Sequence, residues 1–406
     1  MYCAALLLWG GLAAAQSSVE FNNRGIEAYN QGQFRASIQY FEKAHEGAPD
    51  SPTVRRNLCN AYQALANETA VEGNIQQAVK HLEIAVGVEP DNPAPLVQLG
   101  SYYLRMEMVS DAIFRLEEAI ELKPGELDAH ELLGEAYYRD NDLASARAQW
   151  DYVIEMDPKR DALRQRYEKA FREESVEFDF NKSGSRHFKI TYPKSVPLAL
   201  RSKVLTILER AYMDVGRRFG SAYPPPPVQV VLYDAEQFSE ATQLAEHVGA
   251  VYDGKIRAPL TDAKGEWLPE GELKRRLSHE YVHVVVRYVG GPNVPWWLNE
   301  GLAEALSRSL DGGDAELLRQ GYANNSVPTL AQLEGSQLER LDAATLRVAY
   351  SKSLATVNLL LTKYGQKRLN QVMADIASGM PTEQAIKRIY RRGYAALEEE
   401  VASSYL

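Results

Sequence analysis

Small, apolar and proline positions recur with a period of 34 residues along the first 160 positions of the chain. Pro90, Pro124 and Pro158 mark the period. Twelve residues before them stand Ala78, Ala112 and Ala146; eight before, Leu82, Leu116 and Trp150; five before, Ala85, Ala119 and Val153. Gly100 and Gly134 lie twenty-four residues before the last two prolines. An earlier copy ends at Pro49, with Gly25, Gly32, Phe34, Phe41 and Ala44 in register. Small residues where helices cross and a closing proline describe a helix pair in four copies over residues 19–160. In the second copy the proline comes seven residues late. The extra length falls within Ala64 to Gly73, where it lengthens the first helix or its turn.

The pattern then changes. Residues 161–184 read as a helix capping the last repeat and a short loop, Asn181 to Ser185. His187–Tyr192 alternates and is β-branched, a strand. Pro197 opens an amphipathic helix to about Phe219, and the Pro224–Pro227 turn feeds a strand at Val228–Tyr233. A short helix follows at 235–244, and residues 249–259 look like a turn joining two strands. Leu273, Leu277, Tyr281, Val284 and Tyr288 fall four, four, three and four apart, one apolar helix stripe. Val284-Val285-Val286 alone would suit a strand, but the stripe is too long for one, and Gly290-Gly291-Pro292 stops it. The spacing therefore predicts a buried helix over about 271–289. Beyond Glu304 the chain reads as helical, with one helix opening at Tyr350 and others at 366–377, 382–391 and 393–403.

The chemistry concentrates on the 271–289 helix. His279 and His283 are four apart, so they share a face one turn apart and their ring nitrogens can converge on one ion. Glu280 stands beside them, suited to activate a water. H-E-x-x-H is the arrangement of zinc hydrolases. Such a site needs a third protein ligand and an open fourth position.

Two resemblances extend this reading. The 34-residue period resembles the tetratricopeptide repeat, whose stacked helix pairs build a superhelix with a groove for peptides or partner proteins. The stretch W-L-N-E-G-L-A-E, Trp297 to Glu304, resembles the gluzincin metallopeptidases, the thermolysin and aminopeptidase N relatives of the peptidase MA type. That resemblance implies Glu300 as third zinc ligand and Glu280 as general base. Imidazole ligands usually donate their other N–H to a carboxylate or amide, and the thermolysin pattern implies this supporting role for Asn299 and Glu304. It implies a substrate-pairing edge strand at Gly249, Ala250, Val251 and Tyr252. The amine-binding glutamate of the aminopeptidases is not reproduced there, so exopeptidase specificity does not carry over. No histidine follows His283, so the oxyanion donor must be of another type. Tyr350-Ser351-Lys352-Ser353 resembles the tyrosine context of aminopeptidase N relatives and implies Tyr350, with Tyr322, Tyr364, Tyr390 and Tyr394 as competitors. Trp296 and Trp297 read as packing anchors.

Composition narrows the setting. A chain of 406 residues exceeds one core, and a net charge of −10 gives no nucleic-acid footprint. Residues 1–15 resemble a signal peptide, with an apolar run from Tyr2 and an Ala13-Ala14-Ala15 cleavage site. The run is too short to span a bilayer. Of two cysteines, Cys59 would remain alone after cleavage, a small buried group on a helix. The expectation is a multidomain protein: an all-α tetratricopeptide superhelix, then an α+β zincin-like metallopeptidase domain over residues 185–406. It would be exported, in a bacterial periplasm, with no transmembrane helix and one Zn2+ per chain. Its substrate would be peptide or protein, with a possible protein partner in the repeat groove. The rival expectation is an inactive scaffold or chaperone-like protein.

Overall fold

A computed structural model describes residues 17–244, 250–335 and 342–406. The expected signal peptide and Gly249 lie outside the described residues. The chain divides into two compact units after Ala170.

The first unit is helical throughout its described part. Residues 17–30 form α1. Then come α2 (Phe34–Gly47), α3 (Pro52–Val71), α4 (Ile75–Val88), α5 (Pro93–Arg105), α6 (Val109–Leu122), α7 (Leu127–Arg139) and α8 (Leu143–Met156). These are the four helix pairs of the 34-residue period. A Cβ on Gly25, Gly100 or Gly134 would come within 2.5, 2.4 or 2.2 Å of the Phe41, Leu116 or Trp150 side chain. Each glycine thus admits the bulky residue sixteen positions on, and the pair packs without a void. The second copy has Ala66 and Leu82 at these places, both fully buried. Its seven extra residues lie in α3, 20 residues long against 13 in α5 and α7. Seven residues are about two helical turns, drifting by only ~20°, so the buried face is kept. A tyrosine-to-glutamate hydrogen bond marks the kept register: Tyr62 to Glu42 (2.6 Å), Tyr103 to Glu83 (3.3 Å) and Tyr137 to Glu117 (2.5 Å).

Helix α9 (Asp161–Glu177) runs through the division of the units. Leu163 and Ala170 pack with Ala146, Trp150 and Val153. Val176 packs with Val231, Tyr233, Phe238 and Ala241. The helix is therefore more than the cap expected for the last repeat.

The second unit holds a five-stranded sheet in the order β1-β2-β3-β5-β4. Its strands are β1 (Asn181–Gly184), β2 (Phe188–Tyr192), β3 (Val228–Tyr233), β4 (Val251–Tyr252) and β5 (Ile256–Pro259). β2, β3 and β5 run parallel; β1 and β4 are antiparallel edges. The loop expected at Asn181 to Ser185 is thus corrected: residues 181–184 are an edge strand. Its side chains are mostly exposed, so no apolar alternation announces it, and backbone bonding to β2 makes it a strand. Helix α10 (Leu198–Arg218) connects β2 to β3, and α11 (Ala235–Thr242) follows β3.

One core joins the sheet and α10 to α12 (Glu270–Gly290), α13 (Trp296–Ser307), α15 (Ala343–Leu359), α16 (Gln366–Ala377), α17 (Thr382–Tyr390) and α18 (Tyr394–Ala402), and α14 (Gly312–Ala323) packs on α15. Leu273, Leu277, Tyr281 and Val284 are buried as the stripe predicts, and Val285 and Val286 join them in the same helix. Tyr288, the stripe's last member, is 43% exposed, beyond the reach of the core. Helix α15 does not open at Tyr350. Asp342 caps it, accepting from the Ala344 and Thr345 amides, and Tyr350 lies mid-helix. Among the described residues no helix is long and apolar enough to cross a membrane.

A buried ionic cluster ties α9 to the β4–β5 hairpin. Arg257, fully buried, donates to Glu173 (2.7 Å) and the Tyr233 hydroxyl (2.6 Å) and pairs with Glu177 (3.4 Å) and Asp253 (3.2 Å). Lys255 lies 3.7 Å from Glu173, and burial brings its pKa down to about 8. Tyr233 in turn donates to Glu177 at 2.5 Å.

Candidate metal centre

The site is built on α12 and α13. Helical geometry sets His279 and His283 one turn apart, with ring centroids 4.8 Å apart and planes nearly perpendicular. α13 crosses α12 and brings Glu300 to both: its Oε2 lies 3.5 Å from His279 Nε2 and 3.7 Å from His283 Nε2. One donor atom from each of the three residues lies within 4.8 Å of the others. Among the described residues no other group of histidine, cysteine, aspartate and glutamate converges this way.

The groups behind these three orient them. Asn299 Oδ1 is 2.9 Å from His283 Nδ1. An amide oxygen only accepts, so Nδ1 carries the proton and Nε2 offers its lone pair toward Glu300. Burial pushes His283 below its ordinary pKa, which keeps the ring neutral. His279 Nδ1 is 3.2 Å from Glu304 Oε1, an ion-pair contact without hydrogen-bond alignment. Burial opposes charge on His279, but contacts with Glu300 and Glu304 outweigh it and lift its pKa to about 10. Two imidazoles with one carboxylate are a donor set that can hold a divalent metal ion.

Glu280 is buried beside the histidines. Burial pushes its carboxyl up to about 8, against the pull of His279. Among the described residues no side chain hydrogen-bonds its carboxylate, so its oxygens are free for a water. Burial and then the carboxylates of Glu300, Glu304 and Glu280 raise Tyr350 well above the ordinary phenol range. Tyr350 thus stays a neutral donor. Its ring packs edge-on against Trp296 at 5.0 Å. The competitors have other partners: Tyr394 bonds Glu334 and Trp297, Tyr322 stacks on Tyr405, and Tyr364 packs with Tyr390. Trp297 is a buried anchor as expected; Trp296, half-buried, holds Tyr350.

Val251 and Tyr252 form the edge strand β4, paired on one side with β5, and Ala250 precedes it. β4 and β5 both pack against α12. The sequence reading missed Arg308, which donates to Glu304, and Asp314 and Ser351, which bond in turn to Arg308 and to Asp314. Arg308 follows the last residue of α13, four residues after Glu304, and that i, i+4 spacing of opposite charges was the one signal in the sequence.

Residues 226–405 match the family model described as Peptidase MA superfamily, and residues 97–161 match a tetratricopeptide repeat model. The chain carries tetratricopeptide repeats and a Peptidase MA superfamily domain. All the candidate ligands, with Glu280, Glu304 and Tyr350, fall inside the Peptidase MA match. No curated protein matches. Similar solved structures include the first repeat domain of Spaghetti (RPAP3) bound to an HSP90 peptide, 18% identical, covering 28% of this chain and 92% of its own, with a TM-score of 0.27. A MamA protein is 19% identical, covering 38% of this chain and 81% of its own, with a TM-score of 0.32. Pseudomonas aeruginosa pilF is 18% identical, covering 40% of this chain and 72% of its own, with a TM-score of 0.31.

Proposed function

We propose that the Peptidase MA domain is a zinc-dependent peptidase and that the repeats are a binding module for peptide or protein. The observation that carries this reading is the convergence of His279, His283 and Glu300, with donor atoms within 4.8 Å. These three residues would hold one Zn2+, leaving a further position for water or substrate. Zinc, when bound, supplies a Lewis acid for the carbonyl and makes water acidic enough to attack near neutral pH. Glu280, buried and free of side-chain partners, takes the proton of the attacking water and returns it to the leaving amine. Tyr350 donates a hydrogen bond to the carbonyl oxygen as negative charge develops there and keeps its proton. The open edge of β4, Val251–Tyr252, pairs with substrate backbone and reads peptide without reading sequence.

Export to a bacterial periplasm belongs to the same proposal and rests on residues 1–15. Cell fractionation with and without those residues checks it. The activity is tested by zinc analysis and peptide hydrolysis on the purified chain. Wild type should hold one zinc per chain, His283→Ala should lose it, and Glu280→Gln should keep zinc while losing hydrolysis. A folded wild type that takes up no zinc at micromolar free metal refutes the reading. Zinc binding without hydrolysis of any peptide would leave the inactive-scaffold reading in its place.

A further inference from the structure

Resting on the metal reading above, we propose that Arg308, Asp314 and Ser351 are positioning residues, an ionic relay that sets His279 and the helix of Tyr350 together. Glu304 has two oxygens with different partners. Oε1 faces His279 Nδ1 at 3.2 Å, and Oε2 accepts from Arg308 Nε. The outer nitrogens of the Arg308 guanidinium grip both oxygens of Asp314, one of them at 3.1 Å. Asp314 Oδ1 also accepts from Ser351 Oγ at 2.8 Å, and Oδ2 from the Asp311 amide at 3.1 Å. The relay thus passes from α12 through α13 and α14 to α15, ending one residue from Tyr350.

Glu304, Asp314 and Ser351 are buried. Glu304 Oε1 thus stands against one ring nitrogen of His279 while Glu300 Oε2 stands 3.5 Å from the other, so the Glu304 carboxylate fixes how the ring is turned. Without Arg308 one Glu304 oxygen loses its donor, and the carboxylate is free to turn away from His279. Arginine suits the post because its planar fork spans two carboxylates; lysine, a point charge, holds one.

The test is zinc affinity, measured by competition with a chromophoric chelator on full-length wild type, Arg308→Met, Arg308→Lys and Ser351→Ala. Circular-dichroism melts accompany each. Residues that support a metal ligand directly are worth ~10- to 100-fold in affinity, so Arg308→Met, one step removed, should lose about tenfold. Arg308→Lys, which keeps the charge, should fold and lose about threefold. Ser351→Ala leaves Arg308 joined to Asp314 and should keep zinc while lowering kcat with KM unchanged. An ion pair of purely structural value would lower the melting temperature of both Arg308 variants and leave their zinc affinity alone. Affinity of Arg308→Lys within about twofold of wild type overturns the relay, whether or not Arg308→Met folds. Unchanged kcat in Ser351→Ala removes Ser351 from it. A wild type that binds no zinc is a different failure: it sinks the metal reading, and the relay with it.

Discussion

Gly301 offers a direct test of how closely α13 must approach α15. It follows Glu300, and a Cβ there would stand 2.5 Å from the Ser353 carbonyl oxygen, 2.6 Å from Val357 Cγ2 and 2.9 Å from the Ser353 carbonyl carbon. Two of these atoms belong to the backbone of a buried helix and cannot swing aside. Comfortable contacts begin near ~3.5 Å, so Gly301→Ala would force the helices apart by about 1 Å. Overpacking costs ~1–3 kcal/mol, with a backbone clash at the upper end, while alanine regains ~1 kcal/mol of helix propensity. The net is a loss of about 2 kcal/mol, or ~4–8 °C in melting temperature for a unit of this size. Glu300 moves with α13, so zinc affinity should fall as well. The control is Gly271→Ala in the first turn of α12, where a new methyl meets nothing within 4 Å. It should be neutral or stabilising by up to ~1 kcal/mol. Thermal melts and chelator competition on the three proteins read both effects. If Gly301→Ala melts within about 1 °C of wild type with unchanged zinc affinity, close approach of α13 and α15 is not what holds Glu300.

Three further outcomes follow from other parts of the fold. Arg257→Ala removes the guanidinium that Glu173 and Glu177 share in a buried site and should cost ~3–5 kcal/mol by urea unfolding; a loss below about 1 kcal/mol would mean the cluster is not coupled to folding. Cys59 is fully buried and burial pushes its thiol up to about 11, so in a Cys3→Ser background a thiol reagent at pH 8 should label it only after denaturant is added; rapid labelling of the folded protein contradicts the packing of α3. Tyr350→Phe should keep zinc and fold but lose ~100- to 1,000-fold in kcat with KM little changed; activity within about threefold of wild type would assign Tyr350 to packing.

Repeats and motif were legible because their information is local. A glycine and a bulky residue sixteen positions apart state where two successive helices touch, whatever surrounds them. The His279–His283 geometry follows from the 3.6-residue turn alone. The seven-residue insertion in α3 could be located but not assigned to helix or turn, since sequence does not say which helical turns find a partner. Local signals were also overlooked: Asp342 announces the start of α15 by its capping side chain, yet the apolar run beyond Tyr350 drew the boundary there instead.

What only the tertiary structure decided is which distant side chains share a charge or a proton. Asn299 meets His283 across 16 residues, Ser351 meets Asp314 across 37, and Arg257 meets Glu173 across 84. Periodicity reports which face of an element is apolar, because that is set by backbone geometry over a few residues. A buried ion pair depends on how elements cross, and the same polar residue reads as a solvated surface group until its partner arrives. The polar strand β1 is of the same kind: it owes its form to the backbone of β2, to which no side-chain pattern in Asn181–Gly184 refers. The chain's own sequence thus determined the helix pairs and the two imidazoles on one face of α12, while packing brought Glu300 and Glu304 to them, because burial makes a charged group stay only where another answers it.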